Sequence, residues 1–150
     1  KRLPSEPWEA IEVPAGYIPK ALVQAQLYGL AGQPQMEKNY YETALKLTLE
    51  KMRQRPKGLA QANCHSTLGI VYAGLGRKQD AIREGRAGAD PVSLARIYTM
   101  VGEYDEAIRL LETAMSEPGH MGIGALRLDP SWKPLRDKPA FQDLLRKYSL

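Results

Sequence analysis

The feature that most constrains this chain is a segment that occurs twice. Residues 66–82 read STLGIVYAGLGRKQDAI, and residues 92–108 read VSLARIYTMVGEYDEAI. Each copy has the pattern of a helix, a tight glycine turn and a second helix, and this predicts a repeat architecture. The aligned positions carry the same or similar residues: Leu68 and Leu94, Gly69 and Ala95, Tyr72 and Tyr98, Gly76 and Gly102, Ala81 and Ala107, Ile82 and Ile108.

A third, weaker copy precedes these two. Small residues are needed where the two backbones of a hairpin approach, and a turn glycine suits a left-handed conformation that a Cβ would resist. One hairpin cannot cover its own apolar face, so the sequence predicts three stacked hairpins closed by a cap. The correspondences of the third copy are Ala25 with Gly69, Tyr28 with Tyr72 and Gly32 with Gly76, and later Tyr41 with Leu111 and Ala44 with Ala114.

These patterns predict an all-α fold, an alpha-alpha superhelix with three parts. Residues 1–16 are a proline-rich N-terminal extension with at most a short helix, and Trp8 is expected over the edge of the adjoining hairpin. Residues 17–118 form the three hairpins. Residues 119–150 form a loop and a C-terminal capping helix, whose apolar face is expected over residues 139–148.

Two helices in the hairpins have less regular patterns. The first begins at Tyr17 by its apolar periodicity, which places Leu30 on the packed stripe. The helix over about residues 77–87 is interrupted by Gly85 and Gly88, and each glycine costs about 1 kcal/mol relative to alanine. We expect this helix to be short or frayed and the stack to be irregular there.

The repeated residues resemble the tetratricopeptide repeat. That family has a small residue in the first helix, an aromatic residue one turn later, glycine at the turn and alanine in the second helix. The resemblance covers roughly residues 18–118 and departs from the pattern at Glu37, where the second helix of the first unit should offer alanine. It implies a non-catalytic module that binds a protein or peptide partner and needs no cofactor.

The intervals between the turns also depart from that family, in which repeats of about 34 residues are expected. Gly76 follows Gly32 by 44 residues, and Gly102 follows Gly76 by 26. A longer second helix accounts for the first interval. For the second, a truncated hairpin and residues absent from this chain both remain open.

The resemblance implies a concave groove lined by the first helix of each hairpin. A clamp of Lys, Asn and Arg for a peptide's terminal carboxylate is absent at the matching positions, so an extended or helical peptide segment is favoured. The predicted groove residues lie off the packed stripes: Leu22, Gln26, Asn63, Ser66, Ile70, Ala73, Val92, Arg96 and Thr99.

The closing segment LRLDPSWKPLRDKPAFQDLL is similar to the tail of bacterial repeat regions that follow a cyclase, a protein kinase or a winged-helix regulator. This similarity implies a bacterial signalling protein and carries the main alternative. The chain would then be a regulatory or oligomerising region that packs against a neighbouring domain or a second copy. It begins with Lys1, so a processed product and a fragment of a longer protein are both open.

Composition and charge say little about which class of molecule the chain binds. The net charge of +4 mildly favours acidic partners. Arg53, Arg55 and Lys57 end a predicted helix, and basic residues are otherwise too dispersed to favour nucleic acid. Binding of nucleic acid through this helix end is a lesser alternative, which strong salt dependence would support. No apolar run approaches the roughly 20 residues that span a bilayer, and no signal-peptide pattern opens the chain. We therefore expect a cytoplasmic protein.

Candidate chemistry is sparse. Cys64 and His65 are the only adjacent pair with nucleophilic or metal-binding character, and the one other histidine is His120. These are too few ligands for a metal site. The carboxylates near the turns have the pattern of solvated caps, not of an acid–base pair tuned by burial. The sequence therefore predicts no enzyme and no metal.

Overall fold

The computed structural model describes residues 10–13, 16–119 and 121–149. It begins with an antiparallel pair of strands, β1 (Ala10–Val13) and β2 (Gly16–Pro19), in which Ala10 pairs with Pro19. Residues 10–13 thus form a strand and no part of a helix, and the residues before them, including Trp8, lie outside the described residues.

The first helix begins three residues later than its periodicity predicts. The residues that precede it belong to β2, and Pro19, its N-cap, has φ −64° and ψ 137°. A residue before proline is disfavoured in helical conformation, so Ile18 stays extended. The helix therefore starts at Lys20 and not at Tyr17.

Helices make up most of the rest of the described chain, which confirms the all-α fold. Six of them form three consecutive hairpins, and the remaining helical segments follow as a C-terminal unit. The hairpins are α1 (Lys20–Leu30) with α2 (Pro34–Arg53), α3 (Leu59–Gly74) with α4 (Lys78–Gly88), and α5 (Pro91–Met100) with α6 (Tyr104–Ser116). The C-terminal unit is α7 (Ile123–Leu128), a 3₁₀ helix (Pro130–Leu135) and α8 (Pro139–Tyr148).

The three hairpins share one turn, which confirms the alignment of the repeats. Gly32, Gly76 and Gly102 have φ of +69°, +76° and +85°, the left-handed conformation expected of them. The residue after each glycine donates its N–H to the carbonyl of the tyrosine five positions earlier, as in a Schellman motif. These bonds are Gln33 to Tyr28 (3.0 Å), Arg77 to Tyr72 (2.9 Å) and Glu103 to Tyr98 (2.9 Å).

The predicted fraying of α4 is wrong, because its glycines make close contacts. The helix is continuous from Lys78 to Gly88 and has 11 residues, against 20 in α2. A Cβ on Gly85 would lie 2.7 Å from Ile97 Cδ1, and one on Gly88 would lie 2.8 Å from the Ser66 nitrogen. Glycine thus lets a short helix pack tightly against both α3 and α5.

The core has two clusters. The first contains buried residues of the first two hairpins together with Ile97 of α5. The second joins α5 and α6 to the C-terminal unit, which confirms the predicted capping helix α8. Its fully buried members from that unit are Leu126, Trp132, Leu135 and Phe141.

A helix forms where glycines predicted a loop. The segment after His120 contains α7, although Gly122 and Gly124 lower its helix propensity. Leu126 is fully buried in the second cluster, and this tertiary contact outweighs the local preference.

Candidate functional site

A cleft of about 410 Å³ opens between α1 and the C-terminal unit. Its size lies in the range of about 300–1,000 Å³ that is usual for ligand pockets, so it admits several side chains but no whole domain. The lining comes from α1, α2, α5 and the start of the 3₁₀ helix. The lining residues are Val23, Gln26, Leu27, Gly29, Leu30, Glu37, Tyr41, Arg96, Met100, Asp129, Pro130, Ser131 and Pro134.

One wall of the cleft is an exposed apolar stripe on α1. Val23, Leu27 and Leu30 follow one another at intervals of about one turn and are 36%, 59% and 65% exposed. Met100 of α5, 37% exposed, lines the same cleft. Because the buried face of α1 is formed by Ala21, Leu22 and Ala25, the prediction that Leu30 lies on the packed stripe is wrong.

The stripe had a detectable signal in the sequence. Val23, Leu27 and Leu30 have helical spacing of their own, offset from that of the buried residues. A helix with two apolar faces needs a second partner for the face that its own hairpin does not cover. Sequence reasoning assigned only one face and missed the other.

A compensated ion pair also lines the cleft. Arg96 Nη2 is 3.3 Å from Asp129 Oδ2, and the Arg96 guanidinium lies 5.7 Å from the centre of the Trp132 ring. The other carboxylate oxygen of Asp129 accepts a 2.9 Å hydrogen bond from the Ser131 backbone and caps the 3₁₀ helix. The positive charge of Arg96 is therefore already neutralised within the chain.

Glu37 brings a second carboxylate to the cleft. It lies in the first turn of α2, where the helix dipole favours a negative charge. Its side chain rests on Gly29, where a Cβ would lie 2.6 Å from Glu37 Oε1. Burial and the nearby Glu37 charge raise the pKa of Tyr41 to about 12, so the phenol remains neutral. Among the described residues the Glu37 carboxylate has no hydrogen-bond or ion-pair partner.

Five of the nine predicted groove residues are buried and do not line the cleft. Strand β2 packs against α3, and α5 packs against α3 on another side, so little of α3 is left open. These side chains therefore offer little surface to a partner in this conformation. The five are Leu22, Ser66, Ile70, Ala73 and Thr99, all less than 9% exposed.

The other four predicted residues divide into two pairs. Gln26 and Arg96 both line the cleft, so the structure brings these two together. Val92 packs partly buried against the second core cluster. Asn63 is also partly buried, and its Nδ2 has no hydrogen-bond partner in the described part of the chain. A binding role for the nine residues stays a prediction.

Cys64 and His65, which the sequence left without enough ligands for a metal site, have structural surroundings in α3. Cys64 is buried, and burial raises the pKa of its thiol, which disfavours the reactive thiolate. His65 Nδ1 lies 2.6 Å from Glu84 Oε2 and links α3 to α4. Over residues 10–13, 16–119 and 121–149, no three His, Cys, Asp or Glu side chains are grouped as a metal site requires. In the same ranges no helix combines the length and apolarity needed to cross a membrane.

The third hairpin carries the comparison with known proteins. Residues 92–121, which contain α6 and all of α5 except its first residue, match the family model of the tetratricopeptide repeat. The match supports a tetratricopeptide repeat domain. Tetratricopeptide repeats generally mediate protein–protein interactions and are not catalytic. Comparisons with curated proteins and with solved structures gave no match.

Proposed function

We propose that this chain is a non-catalytic interaction module whose protein partner binds in the cleft between α1 and the C-terminal unit. The observation that carries the proposal is the exposed stripe of Val23, Leu27 and Leu30, with Met100 nearby. Burying apolar surface contributes about 25 cal/mol per Å², so a partner that covers these side chains gains affinity from each. The tetratricopeptide match over α5 and α6 agrees with a role in protein binding.

The cleft is a better candidate than the groove predicted along the first helices. The α3 positions of that groove are largely closed by β2 and α5, whereas the α1 stripe remains open. Gln26 and Arg96 belong to both regions. The proposed site is therefore the open end of the predicted groove, extended by apolar residues on α1 and bounded by the 3₁₀ helix.

Paired leucine substitutions test this proposal. Random peptides of about 12 residues are displayed on phage and selected on the whole chain, and the enriched peptides are then synthesised. Their affinities are measured by fluorescence anisotropy for Leu27→Asp and for Leu59→Asp. The two leucines are 59% and 61% exposed, but only Leu27 lines the cleft.

We expect Leu27→Asp to weaken peptide binding at least about tenfold, because it places a charge in the apolar wall. Leu59→Asp should bind as the unmodified chain does. Failure to enrich any peptide, or equal affinities for the two variants, would contradict the assignment of the cleft.

The same stripe also supports the alternative of an oligomerising region. A second copy of the chain would bury Leu27 and Leu30 as well as a different protein would. Sedimentation of the unmodified chain at micromolar concentration decides this. A dimer that becomes a monomer in Leu27→Asp assigns the cleft to self-association. The origin in a bacterial signalling protein and the cytoplasmic location stay predictions.

A further inference from the structure

The charges that line the cleft do not balance. In the described part of the chain, three formally charged side chains contribute to its lining: Glu37, Arg96 and Asp129. Arg96 and Asp129 neutralise each other across 3.3 Å, and Asp129 also caps the 3₁₀ helix. The charge without compensation is that of Glu37. The cleft is thus locally negative in a chain whose net charge is +4.

The position of Glu37 makes this charge relevant to a partner. Its side chain rests on Gly29 of α1, within one turn of the exposed Leu27 and Leu30. A segment that covers the apolar stripe would also remove water from the carboxylate. Desolvating a charge without a partner is costly, whereas a paired and hydrogen-bonded charge is tolerated.

The neighbouring groups do not supply that partner. Tyr41, one turn further along α2, is buried beside Glu37 and carries a neutral phenol. Among the described residues that line the cleft, Arg96 is the only cation, and it is held by Asp129. The compensating charge must therefore come with the ligand.

We propose that the partner segment carries a lysine or arginine beside its aliphatic anchors, and that this cation pairs with Glu37. The inference rests on the proposed function of the cleft and specifies which segments the cleft selects. Segments that offer only apolar side chains, or an acidic residue at this place, are disfavoured because they leave Glu37 desolvated or repelled. The local charge of the site predicts the opposite preference from the net charge of the chain.

Charge variants of Glu37 test the pairing. Peptides of about 12 residues are selected by phage display on the unmodified chain and on Glu37→Gln, Glu37→Lys and Glu42→Lys. Glu37→Gln removes the charge and keeps the shape. Glu42→Lys makes the same charge change as Glu37→Lys on the exposed side of α2, outside the cleft lining, and controls for long-range attraction. Circular dichroism establishes whether each variant is folded. If Glu37→Lys does not fold, the test rests on Glu37→Gln.

The unmodified chain and Glu42→Lys should enrich peptides with Lys or Arg next to aliphatic residues, and Glu37→Lys should enrich Asp or Glu instead. In one enriched peptide, replacing the basic residue by Gln should weaken binding to the unmodified chain about tenfold, the size expected for a charge-assisted hydrogen bond. The same replacement should leave binding to Glu37→Gln unchanged, as a double-mutant cycle requires.

The outcomes separate the two proposals. If Leu27→Asp abolishes binding but the selected peptides show no basic preference, or the cycle shows no coupling, the pairing with Glu37 is overturned and the cleft assignment stands. If Leu27→Asp has no effect, or no peptide is enriched, both proposals fail. A dimer dissolved by Leu27→Asp makes a second copy the occupant and also overturns the inference.

Discussion

At the scale of single residues, the first hairpin differs from the second at two facing positions: α1 carries a smaller residue and α2 a larger one. The aligned second hairpin places Ala73 and Ala81 where the first has Gly29 and Glu37. Glycine in α1 leaves the space that the Glu37 side chain occupies. The departure from the alanine pattern is therefore a paired substitution, and it is what brings a carboxylate to the cleft.

The alkaline titration of Tyr41 depends mainly on its burial and, to a smaller extent, on the nearby Glu37 charge. Its pKa is about 12 in the folded chain and near 10 when unfolded, so the unfolded state releases its proton first. The free energy of unfolding should fall as pH rises from 10 to 12, by about 2 kcal/mol from this group. Tyr41→Phe should remove that part of the pH dependence, as measured by urea unfolding at several pH values.

Tyr28→Phe, which removes a hydroxyl from a less buried tyrosine of the same hairpin, is the control. Equal pH dependence in the unmodified chain and in Tyr41→Phe would show that the Tyr41 phenol is not protected.

At the scale of helices, the packing of α3, α4 and α5 depends on glycine contacts. A Cβ on Gly69 would lie 2.9 Å from the Gly85 nitrogen and 3.0 Å from the Ala81 carbonyl oxygen. These are backbone atoms, which cannot move without shifting α4 as a whole. The second hairpin is therefore more tightly closed than the third, where Ala95 takes the aligned position and is fully buried.

We expect Gly69→Ala to destabilise the chain by about 1–3 kcal/mol, because it overpacks this contact. The repeat pattern alone predicts no penalty, since the aligned residue is alanine. Gly124→Ala is the matched control: it lies in α7, and a Cβ there meets open space. It should stabilise by about 0.5–1 kcal/mol. Chemical denaturation measures both, and an unchanged midpoint for Gly69→Ala would refute the close approach.

The sequence predicted those features that are encoded locally. The turn glycines, the tyrosine four positions before each of them and the small buried positions all depend on a short spacing, as Gly76 and Tyr72 illustrate. The sequence did not predict features that depend on contacts between residues far apart in the chain. By its sequence Gly88 predicts the end of a helix, whereas in the structure it allows the close approach of Ser66. Leu126 is buried by elements remote in sequence. Both faces of α1 are apolar, so composition alone could not tell which face is buried and which is exposed.

At the scale of the whole molecule, the C-terminal unit is both a cap and a wall. Trp132, fully buried, packs in the second core cluster with α5 and α6. Its neighbours Pro130 and Pro134 line the cleft. Ile97 of α5 belongs to the first cluster, so α5 connects the two cores. Loss of the cap is therefore expected to affect the site as well as stability.

Trp132→Ala should cost about 3–5 kcal/mol, as for other large aromatic residues removed from a core. Lys133→Ala, an exposed neighbour in the same 3₁₀ helix, should have little effect. Urea unfolding followed by far-ultraviolet circular dichroism gives both values. A loss of less than about 1 kcal/mol in Trp132→Ala would mean that the C-terminal unit docks weakly.

The glycine contacts of α4 also determine where the chain tolerates a change of length. One extra residue inside α4 would rotate everything after it by about 100° and turn Gly85 and Gly88 away from their neighbours. The connection between α6 and α7 has no such contact at Gly119 or Gly122, where added atoms meet open space. Insertions, reporter loops and natural length differences among homologues should therefore accumulate after α6 and be excluded from α4.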